Sequence, residues 1–312
     1  MTAQPSSLAV YGWLSIAAAL ATIALKSYAY WLTGSVGLLS DALESLINLV
    51  AAVIVLVSLS IASRPPDQNH AYGHDKIEYF SSGAEGIMIL LASISIAFTA
   101  WERLWHPEPL QQLDVGIAIS VFASLINLVV ARILIGVGRR RNSITLEADG
   151  KHLMTDVWTT IGILLGIGVI AVGNRFETTL NWAKQLGMAG WEILDPIIAI
   201  VVAFHILWAG VHLIRRTVAG LMDASLPEEE LAEIVEVLER FAAEHITYHA
   251  LRTRYAGPRR FMSVHVLVPG DWSVQQGHDY LEQIEDAISA RFDHIDIDTH
   301  LEPIEDLASW RH

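Results

Sequence analysis

The 312-residue chain contains no cysteine and few charged residues. Without cysteine there is no disulfide framework and no thiolate metal site, so a metal ion must be held by histidine, carboxylate, amide or backbone oxygen. Charged residues make up 17%, against about 25% in a typical soluble domain, while hydrophobic residues make up 53%. The first residues, Met-Thr-Ala-Gln-Pro-Ser-Ser, lack the basic region of a signal peptide. We therefore expect a polytopic membrane protein without a cleaved leader.

Six stretches are long and apolar enough to span a bilayer, for which about 20 residues are needed. Lysine and arginine are concentrated in alternate connections, which predicts that both termini lie in the cytoplasm and that the protein is a multi-pass inner-membrane protein. The predicted spans are Val10–Leu32, Val36–Ile61, Phe80–Trp105, Val115–Ile135, Leu153–Val172 and Ile193–Ile214. The basic residues assigned to the inner side are Arg64, Lys76, Arg139–Arg141, Lys151, Arg215 and Arg216.

The last part of the chain has a different composition, so we divide the sequence into residues 1–216, a six-span transmembrane domain, and residues 217–312. From Leu221 onward there are 19 acidic and 7 basic residues, a balance of −12, which argues against nucleic acid as a partner. The pattern predicts the order α-β-β-α-β, an α+β domain with helices on one face of a sheet. The predicted elements are a helix from Pro227 to about Glu244 capped near Ser225, strands His249–Tyr255 and Phe261–Val268, a helix Ser273–Phe292 and a strand Ile295–Leu301.

Polar residues interrupt the second and fifth predicted spans. Asp41, Glu44 and Asn48 follow one another at helical spacings of three and four, and His152 and Asp156 are one turn apart. A charged group deep in a bilayer costs roughly 2.5–3.5 kcal/mol, so such residues indicate a function. Two adjacent helices carrying them can surround one divalent cation. The alternative is a buried polar cluster that holds the helices together.

Two further groups of possible metal ligands lie outside the spans. Asp67, His70 and His74 share one inner connection, and their spacing suits either a metal site or an ordinary polar interfacial loop. Histidines in the C-terminal part are, on their own, more typical of a solvated surface than of a metal site. The candidates there are His249, His265, His278, His300 and Glu302.

Several short motifs together resemble the cation diffusion facilitator family, and within it the bacterial zinc and ferrous-iron efflux members. The resemblance extends from the first span to about Glu305. The motifs are Ser40-Asp41-Ala42-Leu43-Glu44, Asn69-His70-Ala71-Tyr72-Gly73-His74-Asp75-Lys76, His152-x-x-x-Asp156, Leu221-Met222-Asp223, Leu251-Arg252-Thr253-Arg254 and His300-Leu301-Glu302.

The resemblance implies a homodimer of six-span subunits in the lipid bilayer, each with a cytoplasmic ferredoxin-like, metallochaperone-like domain. It implies exchange of a divalent metal for protons, with metal ions as cargo and regulators and no other cofactor. The implied transport site is Glu44, Asn48, His152 and Asp156, the implied loop site is Asp67, His70 and His74, and the implied cytoplasmic site bridging two subunits is His249, His265, His278, His300 and Glu302. Lys76 and Asp223 match an ion pair that interlocks the subunits.

The second-span motif departs from the family pattern. The family usually has Asp or His, three residues, then Asp, whereas this chain has Glu44 and Asn48. Asn48 in place of Asp removes one formal negative charge from the site, and the Glu44 side chain is longer than that of Asp. Asp41, on the same face of the helix, is an alternative ligand. Donors of this kind bind Zn²⁺, Fe²⁺ or Mn²⁺, and also Co²⁺ or Cd²⁺. The general order of metal affinities does not by itself show which of these ions the site selects.

The sequence thus predicts a divalent-metal efflux transporter that works by alternating access as a metal/proton antiporter. The alternatives are a membrane metal sensor or scaffold that binds without transporting, and a channel. No candidate nucleophile, cofactor motif or phosphate-binding loop indicates an enzyme.

Overall fold

The structure, a computed structural model, describes residues 8–33, 36–105, 113–175, 194–242, 245–292 and 294–310. Within the helices, the side chains at 32–33, 36–44, 47, 103–105, 113–117, 163–164, 166–175 and 194–196 lie outside this description. The chain divides into two compact units, Met1–Thr217 and Val218–His312.

Six long helices are seen in the described part of the first unit, as the sequence predicted. They are α1 (Ala9–Thr33), α2 (Val36–Ala62), α3 (Ile77–Trp105), α4 (Leu113–Arg140), α5 (Ile144–Arg175) and α6 (Leu194–Leu221). Within the described residues, four stretches are long and apolar enough to cross a membrane, namely Ala9–Trp31, Ile77–Glu102, Ala118–Arg140 and Ile197–Leu221. Large apolar side chains such as Trp31, Phe98 and Trp208 are exposed on these helices. They suit contact with lipid rather than water.

Helix α5 is the packing centre of the first unit. One face of it, with Leu146 and Leu153, packs in a cluster with residues of α1, α2 and α4. Another face, with Ile144 and Ala148, packs in a second cluster with residues of α3 and α6. At Gly150 an added Cβ would lie 2.9 Å from the backbone oxygen of Ala131, so α4 and α5 approach closely there. Polar side chains on α5 are therefore buried among helices.

Helix α5 begins at Ile144, nine residues before the predicted apolar span that starts at Leu153. The extra turns carry polar groups that find partners within the unit. Glu147 is bonded to Arg216 and lies 2.9 Å from the Lys151 amine. Glu78 of α3 accepts a hydrogen bond of 3.3 Å from the backbone N–H of Thr145, in the first turn of α5, where an anion is favourable. These pairs let the helix start nine residues earlier than hydropathy indicates.

The second unit has the predicted order α-β-β-α-β. Its elements are α7 (Glu228–Phe241), β1 (Thr247–Ala256), β2 (Arg259–Val268), α8 (Val274–Ser289), β3 (Ile295–Pro303) and a terminal 3₁₀ turn (Leu307–Trp310). The sheet order is β1-β2-β3, with β1 and β2 antiparallel and β2 and β3 parallel. The core packs α7 and α8 against one face of the sheet, with Ile234, Leu238, Ile284 and Ile288 meeting Val264 and Val266.

The predicted cap at Ser225 is wrong. Helix α7 begins after Pro227, and no side chain caps it. The Ser225 hydroxyl instead lies 2.7 Å from that of Thr253 on β1. Proline at the position before the first turn fixes a backbone angle that suits helix entry, and the acidic first turn Glu228–Glu230 complements the helix dipole.

Candidate metal centres

A buried cluster of polar side chains joins α2 to α5. The Asn48 amide donates to Asp156 Oδ2 over 2.6 Å, and His152 Nε2 lies 2.9 Å from Asn48 Oδ1. All three residues are buried. An amide nitrogen only donates and an amide oxygen only accepts, so with Nδ2 of Asn48 facing Asp156, its Oδ1 accepts from His152. Without a metal, the imidazole proton is therefore on Nε2.

Asn127 of α4 is a member of this cluster that the sequence analysis missed. Its amide donates to Asp156 Oδ2 over 3.0 Å, so that oxygen accepts from two amides. Asn127 is buried. An amide inside the apolar run Val115–Ile135 was the available signal, since such a group is costly unless it has a partner. Two donors on one oxygen leave the other carboxylate oxygen for a cation.

Glu44 and Asp41 belong to the part of α2 whose backbone alone is described, so the contacts of their side chains lie outside the described structure. Helical spacing places Glu44 one turn before Asn48 on the same face of α2. Asp41 lies about two turns before it. Their roles as ligands stay predictions.

The loop between α2 and α3 brings Asp67, His70 and His74 together, with ligand atoms within 4.8 Å of one another. Asp67 Oδ1 lies 3.4 Å from His70 Nδ1, and Asp67 Oδ2 lies 3.3 Å from His74 Nε2. The backbone N–H groups of His70 and Asn69 hold the pKa of the Asp67 carboxyl below its usual range. Gly73 has φ 86°, a left-handed conformation that few other residues adopt, and it turns the chain between the two histidines. This geometry suits a small cation with nitrogen and oxygen ligands.

Three histidines form a row across the sheet of the second unit. His249 of β1 is opposite His265 of β2, which is opposite His300 of β3. Glu302, two residues after His300, points to the same face. Its Oε2 lies 2.9 Å from His249 Nε2, and its Oε1 lies 3.2 Å from His265 Nδ1 and 3.5 Å from His300 Nε2. Partial burial raises the pKa of Glu302, but the hydrogen bond from His249 and the nearby histidines outweigh this and leave that pKa below its usual value.

A bulge in β1 places His249 on this face. The register passes from His249 opposite His265 to Arg252 opposite Ser263, so β1 holds one extra residue. At the bulge Ala250 has φ 51°. With the extra residue, Tyr248 and Leu251 both reach the core although they are three apart. Bulges commonly redirect a side chain next to a functional site.

His278 is not brought to this group within the chain. It lies exposed on α8, and among the described residues the group contains only His249, His265 and Glu302, with His300 at its edge. Trp310 of the terminal turn lies beside it, with ring centroids 5.8 Å from His249. The two predicted interlock residues belong to different units. Lys76 precedes α3, and Asp223, with φ 56°, lies 3.5 Å from the Arg254 guanidinium.

Comparisons with known proteins place the whole chain among cation-efflux proteins. The family model described as "cation efflux transmembrane domain" matches residues 12–222, and "cation efflux protein, cytoplasmic domain" matches residues 226–304. The "uncharacterized transporter sll1263" of Synechocystis is 48% identical over 302 residues, 97% of this chain and 92% of that protein. The cation-efflux pump FieF of Klebsiella pneumoniae is 29% identical over 287 residues, 92% of this chain and 90% of the pump. The solved metal-bound C-terminal domain of the CzcD transporter from Thermotoga maritima is 30% identical, covering 26% of this chain and 99% of that domain, with a TM-score of 0.24.

Proposed function

We propose that this chain, which belongs to the cation diffusion facilitator family, exports a divalent transition-metal ion in exchange for protons. As a member of that family it is a membrane-spanning cation-efflux transporter and not an enzyme. The choice of a divalent transition metal, with Zn²⁺ or Fe²⁺ first and Mn²⁺, Co²⁺ and Cd²⁺ as further cargo, is the proposal. So are the exchange for protons, the homodimer, and an inner-membrane location with both termini in the cytoplasm.

The observation that carries the proposal is the buried contact of imidazole, amide and carboxylate between α2 and α5. His152, Asn48 and Asp156 meet through hydrogen bonds of 2.9 and 2.6 Å, and all three side chains are buried. Nitrogen and oxygen donors of these types hold Zn²⁺ and similar ions. Glu44, one turn before Asn48, supplies the second carboxylate.

Exchange for protons is proposed because metal ligands must be deprotonated to bind, so protons and the metal ion compete for the same imidazole and carboxylate groups. On a neutral His152, whose Nε2 faces Asn48 Oδ1, a metal ion takes Nε2 and the ring proton moves to Nδ1, which by itself releases no proton. The exchanged protons are therefore those that occupy the imidazole and the carboxylates of the site in the outward-facing state. Protons arriving from the other side of the membrane take these positions again and release the ion. Alternating access of the helix bundle then moves the site from one side to the other.

The loop site and the histidine row act as regulators in this proposal. Asp67, His70 and His74 lie in the connection between α2, which carries Asn48 of the site, and α3, so a bound ion there stiffens the link between these two helices. The histidine row lies on the sheet face opposite α7 and α8, where a second subunit can contribute further ligands such as His278. A cation there offsets the repulsion between two acidic domains in a homodimer.

The test is Zn²⁺ uptake by proteoliposomes of purified protein with an imposed pH gradient. Asp156→Asn keeps the shape of the side chain but removes its charge, and we expect it to abolish both uptake and the accompanying proton flux. The matched control is Thr159→Ala, because among the described residues the Thr159 hydroxyl donates to the backbone carbonyl of residue 156 at 2.9 Å and not to the carboxylate. The control should transport normally.

The same assay separates the alternatives. Zn²⁺ flux without counter-movement of protons indicates a channel. Zn²⁺ binding without flux indicates a sensor or scaffold. Full activity of Asp156→Asn removes the proposed site.

A further inference from the structure

A second polar contact of His152 lies on the side away from Asn48. Its Nδ1 is buried and has no hydrogen-bond partner among the described residues, and 3.9 Å away lies Glu85 Oε2. Both oxygens of Glu85 are likewise buried without a partner in the described part of the chain. Glu85 is 0% exposed and His152 5%. The two side chains leave unsatisfied atoms that face each other.

Packing on both sides fixes the position of Glu85 in α3. Ile89, one turn later, belongs to the cluster that joins α3 to α5 and α6. At the next residue, Gly86, an added Cβ would lie 2.6 Å from the Ile214 side chain of α6. Glu85 is therefore held against α5 and has little freedom to reach water.

Burying a carboxyl group without a hydrogen bond is costly, so this arrangement calls for a state in which the group gains a partner. When a metal ion binds Nε2 of a neutral imidazole, the ring proton is on Nδ1. Histidine ligands almost always donate that proton to a carboxylate, a carbonyl or water, which orients the ring and strengthens it as a ligand. Glu85 needs to approach by about 1 Å to accept it at hydrogen-bond distance.

We propose that Glu85 is the positioning residue of the transport site, accepting the Nδ1 proton of His152 when Nε2 binds the transported ion. The inference rests on the proposed function, since it takes His152 as a ligand. In the metal-free protein the ring proton of His152 is on Nε2 and points at Asn48, so His152 and Glu85 share no hydrogen bond. In the metal-bound protein the ring proton is on Nδ1 and is donated to Glu85.

Asp149 is the neighbour that must be distinguished from Glu85. It lies three residues before His152 on α5, is buried, and has one oxygen without a partner among the described residues. Within the described structure, however, the carboxylate within 4 Å of Nδ1 of His152 is that of Glu85. Asp149→Asn is thus a matched control, a buried acid from the same region that does not contact the imidazole.

The first measurement is Zn²⁺ affinity of the full-length protein in detergent, in a background with the other two centres disabled by His70→Ala and His249→Ala/His265→Ala. We expect Glu85→Leu to weaken Zn²⁺ binding about 10–100-fold, the usual effect of removing a partner of a metal-bound histidine. Glu85→Gln keeps a neutral acceptor and should fall between Glu85→Leu and the parent. Asp149→Asn should not weaken binding.

Thermal unfolding of the metal-free protein separates positioning from a structural role. Because Glu85 and His152 share no hydrogen bond without metal, Glu85→Leu should leave the melting temperature of the metal-free protein unchanged or higher. If Glu85→Leu does not fold, the comparison rests on Glu85→Gln. A fall in metal-free stability that matches the loss of affinity contradicts a positioning role.

Histidine ¹⁵N NMR reports the tautomer directly, with the His152 signal assigned by its absence in His152→Ala. Zn²⁺ should move the proton of His152 from Nε2 to Nδ1, with a strong hydrogen bond in the parent and a weaker one in Glu85→Gln. If Asn48→Ala and Asp156→Asn abolish Zn²⁺ binding while neither Glu85 variant changes affinity or the Nδ1 signal, this inference fails and the proposed function stands. If Asn48→Ala and Asp156→Asn leave binding intact, the transport site itself fails.

Discussion

Asn127→Ala tests whether the amide from α4 belongs to the transport site. Asp156 Oδ2 accepts from Asn48 over 2.6 Å and from Asn127 over 3.0 Å. When an ion takes the amide oxygen of Asn48 and the free oxygen of Asp156, the Asn127 bond still holds the carboxylate in place. Its loss leaves the ligand free to rotate in a buried site.

Two independent magnitudes agree on the size of the effect. A hydrogen bond to a charged group contributes about 1.5–3 kcal/mol. Removing the outer partner of a metal ligand typically weakens metal binding about 10–100-fold, and about 1.4 kcal/mol corresponds to each factor of ten. We therefore expect Asn127→Ala to raise the KM for Zn²⁺ about 10–100-fold in the proteoliposome assay and to weaken equilibrium binding by a similar factor.

Ser124→Ala is the control, one turn earlier on the same helix. The Ser124 hydroxyl lies 2.5 Å from that of Thr160, so it also joins α4 to α5, but through two neutral groups away from the carboxylate. It should change KM by less than about threefold, since a neutral hydrogen bond contributes only about 0.5–1.5 kcal/mol and the site is untouched. An unchanged KM in Asn127→Ala, or equal effects of both variants, refutes the assignment of Asn127.

Three further predictions concern regions outside the spans. Trp310 lies beside His249, with ring centroids 5.8 Å apart, so metal binding to the histidine row should change the fluorescence of Trp310. The measurement uses a variant in which the other tryptophans are replaced by Phe. Unchanged Trp310 fluorescence on addition of metal contradicts the site. Gly73→Ala should weaken metal binding at the loop about tenfold, because φ 86° costs a residue with a Cβ about 1–2 kcal/mol; isothermal titration checks it. Glu230 accepts from Arg260 over 2.8 and 3.0 Å, and these bonds hold the pKa of Glu230 below its ordinary value. That carboxylate therefore stabilises the fold above the unfolded pKa of about 4.5 and less as pH falls through the lowered value. In urea unfolding of residues 218–312, Glu230→Gln should cost about 1 kcal/mol at pH 7, a value reduced for partial exposure, and the difference should vanish in acid; a cost that persists at low pH contradicts it.

Much of the fold was predictable because it depends on local periodicity. Runs of about 20 apolar residues give the six helices, and alternating residues after Arg216 give the strands. The start of α5 was not predictable in the same way. Charged residues such as Glu147 lower the hydropathy of the segment. The spacing of four to Lys151 already suits a pair on one helix, but only the tertiary structure shows that Arg216 bonds to Glu147.

The candidate sites also differ in how far the sequence predicts them, depending on whether their residues lie in one segment or in several. Groups within one segment, such as Asp67, His70 and His74, can be grouped from spacing alone. The partners that α3 and α4 contribute, Glu85 and Asn127, cannot, because a lone acid or amide in an apolar run says nothing about which neighbour it meets. The histidine row depends on strand register and on the bulge at Ala250, and neither follows from the alternation of residues in β1.

The sequence by itself determined that the protein crosses a membrane, that it has a separate α+β domain, and that no cysteine is available to bind a metal, because composition and period are properties of the chain. The tertiary structure decided which donors meet. Burial between helices requires each polar atom to find a partner across a packing contact, and helix packing together with strand register, not residue spacing, brings His152 to Asn48 and His249 to Glu302.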